Sequence, residues 1–326
     1  CLFAFIGDGS NCDDINVITR IDLLNTSNVT NMDRMFINTG RNAMKELDLG
    51  NKFDTSNVTD MGHMFEMTGA TAMEKLDLGE EFDTSSVTNM SYMFCTTGSS
   101  SMKILNLGNI FDTSNVTDMN NMFASCGKRE LENIYFGNEV GTQYEIVFAN
   151  SFNTSAVTDM NNMFNSFGWK KIKKLDLGEN FDTSNVTDMR NMFQYAGYEL
   201  MENLDLGEKF NTIKVNKMEG MFNLTGHATL KSLDLGDKFD TTNVTNMKLM
   251  FAYCGKMAMT KLDLGDKFDT RNVTNMSSMF EGTGQTAMTS LDLGDKFYTT
   301  SATNMTNMFA YCGTTSMTVL DLGPAF

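Results

Sequence analysis

The stretch FDTSNVTDMGHMFEMTGATAMEKLDLGEE, residues 53–81, is the unit from which most of the chain is built. The pair Met-Phe recurs ten times, and successive copies lie 29 residues apart except for one step of 41, between Phe123 and Phe164. A fixed period of this length is typical of a solenoid, in which each repeat adds one coil to a stack. We therefore predict a single repeat solenoid of about ten repeats over residues 1–326, with partial repeats at both ends.

Each repeat contains two kinds of apolar pattern. Val58, Met61, Met64 and Phe65 recur at spacings of three and four, which fits a short helical or 3-10 turn, although a short strand through Val58 and Met61 also fits. Leu-Asp-Leu at residues 76–78 alternates with period two, as a strand does. We expect one parallel β-strand per repeat, with short helical, 3-10 or irregular segments opposite and the periodic Met and Phe side chains in a shared core.

A row of alternating charge indicates how the repeats stack. The residue after each periodic Met, Leu or Ile changes sign over seven consecutive repeats: Lys45, Glu74, Lys103, Glu132, Lys173, Glu202 and Lys231. In a parallel sheet paired in register, each Lys would lie between two Glu, and opposite charges on adjacent strands stabilise the pairing. We interpret the row as specifying the register of stacking and not as a binding patch.

Composition excludes several classes of function. The chain has 25 basic and 41 acidic side chains, and its net charge of −16 repels phosphate backbones, so we expect no nucleic-acid partner. No stretch approaches the roughly 18 apolar residues of a membrane span, so we expect no membrane insertion by this segment. With two His, scattered Cys and no nucleophile motif, we expect no enzymatic activity, no cofactor and no metal site.

The repeat motifs resemble those of a known family. FDTSNVTDM at residues 53–61, 111–119 and 181–189, NVTNMSSMF at 272–280 and LDLGDKF at 291–297 are similar to the repeats of BspA-like leucine-rich-repeat proteins of bacterial surfaces. The resemblance covers nearly the whole chain. It implies a solenoid of the leucine-rich-repeat type, displayed outside the cell at the cell surface and used for adhesion or host contact. The unit here is a few residues longer than is usual in that family.

The 41-residue step carries a 12-residue insertion around residues 138–149. Tyr144, Ile146 and Phe148 alternate, and Gly141 suits a tight turn, so we expect either a hairpin that protrudes from the rod or a tolerated loop. Insertions on one edge of a solenoid often form its binding face.

The middle residue of Leu-x-Leu is Asp in most repeats, which predicts an outward acidic row. Such a row could gather Ca²⁺, but Lys recurs four residues later and offsets the charge, so we predict no metal site. Together with the insertion, the row supplies our candidate binding residues: Tyr135, Tyr144, Phe148, Asp176, Asp205, Asp234, Asp263 and Asp292.

The sequence therefore favours a non-enzymatic extracellular scaffold at the cell surface that serves adhesion to, or recognition of, a protein or glycan on another surface. The alternative is a structural subunit that self-associates through its solenoid ends into filaments or a surface layer. Because both ends fall within a repeat, we expect the chain to be a segment of a longer one.

Overall fold

The computed structural model describes residues 18, 21, 24–50, 53–136, 142–148 and 151–326. The N-terminal partial repeat expected around residues 5–15 lies outside these ranges. Within them the secondary structure consists of eleven three-residue strands and no α-helix. The strands are β1 (Glu46–Asp48), β2 (Lys75–Asp77), β3 (Ile104–Asn106), β4 (Asn133–Tyr135), β5 (Glu145–Val147), β6 (Lys174–Asp176), β7 (Asn203–Asp205), β8 (Ser232–Asp234), β9 (Lys261–Asp263), β10 (Ser290–Asp292) and β11 (Val319–Asp321).

The strands pair in parallel and in register with the repeat. Leu76 of β2 lies opposite Leu47 of β1 on one side and Leu105 of β3 on the other. Hydrogen-bonded pairing groups the strands as β1–β4, β5–β7, β8–β9 and β10–β11. The central residue of each strand from β1 to β10 is buried, as the alternation of side chains in a strand requires. The prediction of a parallel solenoid with one strand per repeat is confirmed.

The segment opposite the strands is a succession of turns that forms a second ladder. Alternate backbone N–H groups, those of His63, Phe65 and Met67, donate to carbonyl oxygens of the next coil at 2.8–2.9 Å. The N–H groups between them stay within the coil, as when Met64 donates to the carbonyl of Met61 at 3.2 Å. Of the alternatives left open by the sequence, the irregular segment is therefore the one observed.

The Met-Phe pairs form the centre of the core. Met64 and Phe65 are fully buried, and so are their counterparts in the neighbouring coils. Each Phe of a Met-Phe pair stacks on the next, from Phe36 to Phe309, with ring centroids 5.4–5.9 Å apart and ring planes within 10°. Stacked aromatic pairs contribute about 0.5–1.5 kcal/mol beyond the area they bury. One continuous column of stacked Phe rings thus runs along the solenoid axis.

The insertion adds a strand to the row of strands. β5 is parallel to β6, with Ile146 opposite Leu175. On its other side, the N–H of Tyr144 donates to the carbonyl of Glu132, just before β4, at 2.7 Å. The expectation of a protruding hairpin or a tolerated loop is wrong for residues 142–148. Ile146 and Phe148 take the places of the two Leu of an ordinary repeat and are buried, which holds this segment in the core.

The turn side of the solenoid is not interrupted by the insertion. The N–H of Phe123 donates directly to the carbonyl of Met163 at 3.0 Å, as it would between ordinary neighbours. The row of strands therefore has one layer more than the turn side, equivalent to roughly 4.8 Å. We call the insertion the wedge, because β5 lies between β4 and β6 on the strand side while the coils on the turn side stay in direct contact.

The register that the alternating charge row predicts is observed where the repeats are regular, and the row is interrupted at the wedge. Two of the expected pairs form: Lys103–Glu74 at 3.1 Å and Lys231–Glu202 at 3.9 Å. Glu132 and Lys173 are not neighbours, because Tyr144 lies between them. Glu132 instead accepts a hydrogen bond from Gln143 at 2.9 Å, and the Lys173 Nζ lies 5.8 Å from the centroid of the Tyr144 ring.

Candidate binding surfaces

The outward Asp residues of the strands shape the turns that follow. The Oδ1 atom of each accepts the N–H of the Gly two residues later, at 2.8–3.2 Å, as in Asp48–Gly50, Asp77–Gly79, Asp176–Gly178, Asp205–Gly207, Asp234–Gly236, Asp263–Gly265, Asp292–Gly294 and Asp321–Gly323. This is an Asx turn, which satisfies a backbone donor where the strand ends. The recurrence of Asp is thus explained by the fold without a ligand.

Three of these carboxylates are also neutralised by Lys. The pairs join residues two apart on the same strand: Lys75–Asp77 at 2.9 Å, Lys174–Asp176 at 3.0 Å and Lys261–Asp263 at 2.9 Å. The hydrogen bond from Lys261 lowers the pKa of Asp263 despite partial burial. Burial alone would raise the pKa of Asp77, but the hydrogen bonds from Lys75 and Gly79 outweigh it and the net shift is downward.

The remaining predicted Asp residues, Asp205, Asp234 and Asp292, are exposed, and no cation lies within ion-pair distance of them in the described ranges. Among the residues that the structure describes, no three or more His, Cys, Asp or Glu side chains are grouped so as to hold a metal ion. The row therefore offers separate negative charges along the axis and no formed cation site.

The charged strand face carries fewer charges at β3–β5, in an area that we call the insertion patch: Ile104, Tyr135, Tyr144 and Val147. Glu145, two residues before Val147 on the same face of β5, is the carboxylate within this area. Tyr135 lies in register with Asn106 of β3. The hydrogen bond from Tyr144 to Glu132 sets β5 beside β4, so that Val147 follows Tyr135 along the face. Val147 is 49% exposed, and the other three side chains are partly exposed.

The structure thus places Tyr135 at the end of β4 and Tyr144 beside Glu132, at the start of the neighbouring layer, and Asp176 borders the patch because it is paired with Val147. Phe148 is different. Its side chain is 2% exposed and packs on Phe152 with ring centroids 4.6 Å apart, so it supports the patch from below and offers no binding surface. The other four predicted Asp residues lie progressively farther along the row.

A second surface, which the sequence analysis missed, lies at the turn that leads into the strands. We call it the aromatic ladder: Lys128, Trp169, Tyr198, His227 and Lys256, each the residue after the Gly that follows a Met-Phe pair. The Trp169 and Tyr198 rings stack at 5.0 Å, and the Tyr198 and His227 rings at 4.4 Å, all with planes 10° apart. The Lys128 Nζ lies 5.8 Å from the Trp169 centroid.

Backbone hydrogen bonds between adjacent coils hold the residues of the aromatic ladder beside one another. The N–H of the residue after Tyr198, Glu199, donates to the carbonyl of Trp169 at 2.9 Å, and the same bond recurs from Met257 to His227 at 3.0 Å. The rings cover one another's facing sides, and all three side chains remain partly exposed. Burial, followed by the charge of Lys256, lowers the pKa of His227, so its imidazole is neutral at neutral pH.

The thiols give no sign of nucleophilic chemistry. Cys95, Cys126, Cys254 and Cys312 are free. Burial raises the pKa of Cys95 to about 11 and that of Cys312 to about 12. Burial also raises the pKa of the fully enclosed Cys126 and Cys254 thiols. These four groups are therefore protonated at neutral pH and fill small spaces in the coils.

A search for helices capable of crossing a lipid bilayer finds none among the described residues.

Comparison with known proteins identifies one family. Its model, described as "Mycoplasma protein of unknown function, DUF285", matches the chain three times, over residues 9–135, 129–235 and 226–319. No curated protein and no solved structure shows significant similarity to the chain. The family description assigns no activity, so the surfaces themselves carry the functional argument.

Proposed function

The chain belongs to the DUF285 family, whose function is unknown, and on that premise we propose that it is a non-enzymatic extracellular scaffold that recognises a protein or glycan on another surface. The single observation that carries this proposal is the insertion patch. The resemblance of the repeats to BspA-like surface proteins supports a location at a bacterial cell surface and a role in adhesion.

The composition of the insertion patch favours a protein as the partner. Tyr side chains are enriched at the centres of protein interfaces, where they bury a large apolar area and keep a polar group. Tyr135 and Tyr144 provide this combination, and Val147 and Ile104 add apolar surface beside them. Because the insertion occurs once, the patch marks one position on an otherwise repetitive rod, which suits recognition of a single partner.

The acidic row extends the patch along the axis. Beyond the Lys174–Asp176 pair, the exposed Asp205 and Asp234 carboxylates lack cationic partners within the described ranges. Charges of one sign along a face steer a partner of opposite charge and set its orientation more than its affinity. We therefore expect the partner to present basic groups next to the apolar area that covers the patch.

The test is binding of the full chain to an array of purified extracellular-matrix proteins and glycans. For any partner found, the double variant Tyr135→Ala/Val147→Ser should weaken binding at least tenfold. The control Ile213→Ser removes a similarly exposed apolar side chain, 42% exposed, from another coil and should leave binding unchanged.

Two outcomes would contradict the proposal. One is the absence of any partner on the array, and the other is equal binding by the patch variant and the wild type. Sizing and electron microscopy provide the second arm of the test: monomers at high concentration agree with the proposal, whereas ordered fibres would favour the self-assembling subunit.

A further inference from the structure

We propose that the aromatic ladder, together with Arg129 and Lys170 beside it, is a second binding surface and that its ligand is an acidic polysaccharide. The inference rests on the proposed function only in treating the chain as a recognition scaffold, because the ladder lies apart from the insertion patch and shares no residue with it.

The first observation is a concentration of unpaired cations on an acidic rod. Arg129 and Lys170 occupy the same position in adjacent coils, since each donates its N–H to the preceding coil, at 3.0 and 3.1 Å. Both side chains are exposed, and neither forms an ion pair with any described residue. The nearby Glu130 is already paired with Lys171 at 3.5 Å. Like charges side by side destabilise adjacent strands, and a bound anion would remove that cost.

A second row of Lys, at the corner after the strands, provides a comparison. There each Lys directly follows an acidic residue, in Glu208-Lys209, Asp237-Lys238, Asp266-Lys267 and Asp295-Lys296. The Phe residues that follow these Lys also stack from coil to coil, but they are buried and offer no ring edge to a ligand. Glu130 follows Arg129, and Glu199 takes the position of Lys170 in the next coil, so the cations at the ladder are distinguished by the partly exposed rings next to them.

The second observation concerns what the rings can offer a ligand. Both faces of Tyr198 and one face each of Trp169 and His227 are covered by neighbouring rings, and Lys128 lies over Trp169, so a sugar or base cannot stack between the rings. The edges remain, with the Trp169 Nε1–H, the Tyr198 hydroxyl and the ring nitrogens of His227. These polar atoms make no hydrogen bond to other residues in the described part of the chain. They form a row of hydrogen-bonding groups along the axis.

The shape of this surface suits a linear polymer. From Lys128 to Lys256 the ladder crosses four coil spacings, or roughly 19 Å at about 4.8 Å each. Cations stand at both ends and hydrogen-bonding edges lie between them. An oligosaccharide with hydroxyl groups and periodic acidic groups can follow such a strip, and it can avoid the acidic strand face beside it.

Other anionic partners fit less well. A flat anionic membrane would also meet the acidic side chains of neighbouring faces on a chain of net charge −16. A single-stranded nucleic acid is held by bases that stack on open aromatic faces, whereas most ring faces of the ladder are already stacked on one another. Both become outcomes of the experiment below.

The chain provides its own reporter, because Trp169 is its single Trp. We would titrate the full chain with a sulfated, heparin-derived hexasaccharide and, separately, with a hyaluronate hexasaccharide that carries only carboxylates, and follow Trp emission. At least one should give a saturable change, with an affinity that falls several-fold between low and high salt because exposed charges are screened. The two arms show whether sulfate or carboxylate is the acidic group.

Matched variants localise the binding. Arg129→Gln/Lys170→Gln should weaken binding at least tenfold and leave the thermal unfolding midpoint unchanged or higher. Lys238→Gln/Lys267→Gln removes the same charge from two exposed side chains in adjacent coils and should change affinity less than twofold. Tyr198→Phe keeps the stacked ring but removes the hydroxyl, and it should weaken binding a few-fold, which a purely structural ladder would not show.

The proposal is overturned if neither hexasaccharide changes Trp169 emission at millimolar concentration, or if both double variants weaken binding equally. It is also overturned if phosphatidylserine vesicles or a single-stranded oligonucleotide saturate the signal while the hexasaccharides do not. If the titration fails but the array yields a partner whose binding depends on Tyr135 and Val147, the second binding surface is rejected and the proposed function is retained. Failure of the array leaves a positive titration standing.

Discussion

Phe123 stacks on Phe164 with ring centroids 5.9 Å apart and ring planes 2° apart, although 41 residues separate them in the chain. Phe94 and Phe123, separated by the ordinary 29 residues, stack at 5.5 Å. The insertion therefore never enters the central column of stacked Phe rings. Its described residues reach the core from the strand side, through Ile146 and Phe148, and the same segment places Tyr144 and Val147 beside β4.

Deletion of residues 138–149 should restore a regular 29-residue step and preserve the fold. The deletion loses the burial of Ile146 and Phe148, but it also removes the conformational-entropy cost of ordering residues 142–148. We expect cooperative thermal unfolding at or above the wild-type midpoint, measured by circular dichroism. Loss of cooperativity would show that β5 is required by its neighbours. Partner binding through the insertion patch should be abolished.

The Gly that follows each Met-Phe pair should tolerate Ala poorly. Gly69 has φ +51°, and a Cβ there would lie 2.5 Å from the Cβ of Met73. Gly294 has φ +74°, but a Cβ there meets nothing within 4 Å. The left-handed conformation costs an L-residue about 1–2 kcal/mol at either position, and overpacking adds about 1–3 kcal/mol at Gly69 alone.

In urea unfolding, Gly69→Ala should therefore lower the free energy of unfolding by about 2–5 kcal/mol and Gly294→Ala by about 1–2 kcal/mol. Equal losses for the two variants would mean that the close approach of Gly69 to Met73 does not exist in solution.

Asp118, Asp159 and Asp188 lie side by side on the turn side. Removing the charge of Asp159 should therefore increase stability in a pH-dependent way. Burial, followed by the charges of Asp188 and Asp118, raises the pKa of Asp159 above its ordinary value of 3.8. The folded state thus holds this proton more tightly than the unfolded state, and the Asp159 contribution to stability falls as pH rises through that range. Asn at this position keeps the side-chain oxygen that accepts the Asn161 N–H at 2.9 Å, as Asn89 does in the same row.

Asp159→Asn should therefore raise the free energy of unfolding at pH 7, and the gain should vanish below pH 4. Asp188→Asn is the same change in the next coil, and we expect it to have the opposite effect on stability. Burial would raise the pKa of Asp188, but hydrogen bonds from Arg190 and Lys217 outweigh it and lower the pKa. The stabilisation by the ionised Asp188 carboxylate is present at pH 7 and lost on acidification. Asp188→Asn should therefore lower the free energy of unfolding at pH 7. The same sign for both variants would contradict these assignments.

The sequence predicted the features that depend on repetition. The period, the strand at Leu76–Leu78 and the burial of Met64 and Phe65 follow because one side chain in one repeat can be buried only by its copies on either side. The register followed from the alternating charges, which require neighbours to align. The conformation of the turn side could not be decided from the sequence, because apolar side chains at spacings of three and four face inward in a helix and in successive turns alike.

The insertion and the aromatic ladder could not be predicted in the same way. Alternation of Tyr144, Ile146 and Phe148 describes a strand but not its neighbours, and only the packing against β6 decides that these side chains enter the core. In the ladder the residue type changes at every coil, from Lys128 to Trp169 to Tyr198, so no repeated motif signals it. Aligning the repeats at the Gly before each residue would have found the column.

The most direct test of the stacked, sealed core is the rate at which each Met is oxidised. Dilute hydrogen peroxide converts accessible Met to the sulfoxide, and mass spectrometry of peptides gives a rate for each site. Met257 and Met305 are 47% and 43% exposed, whereas Met61 and Met64 are fully enclosed. We predict that Met257 and Met305 oxidise at least ten times faster in the native protein and that urea removes the difference. Oxidation of Met61 and Met64 as fast as Met257 in the native state would contradict the fold.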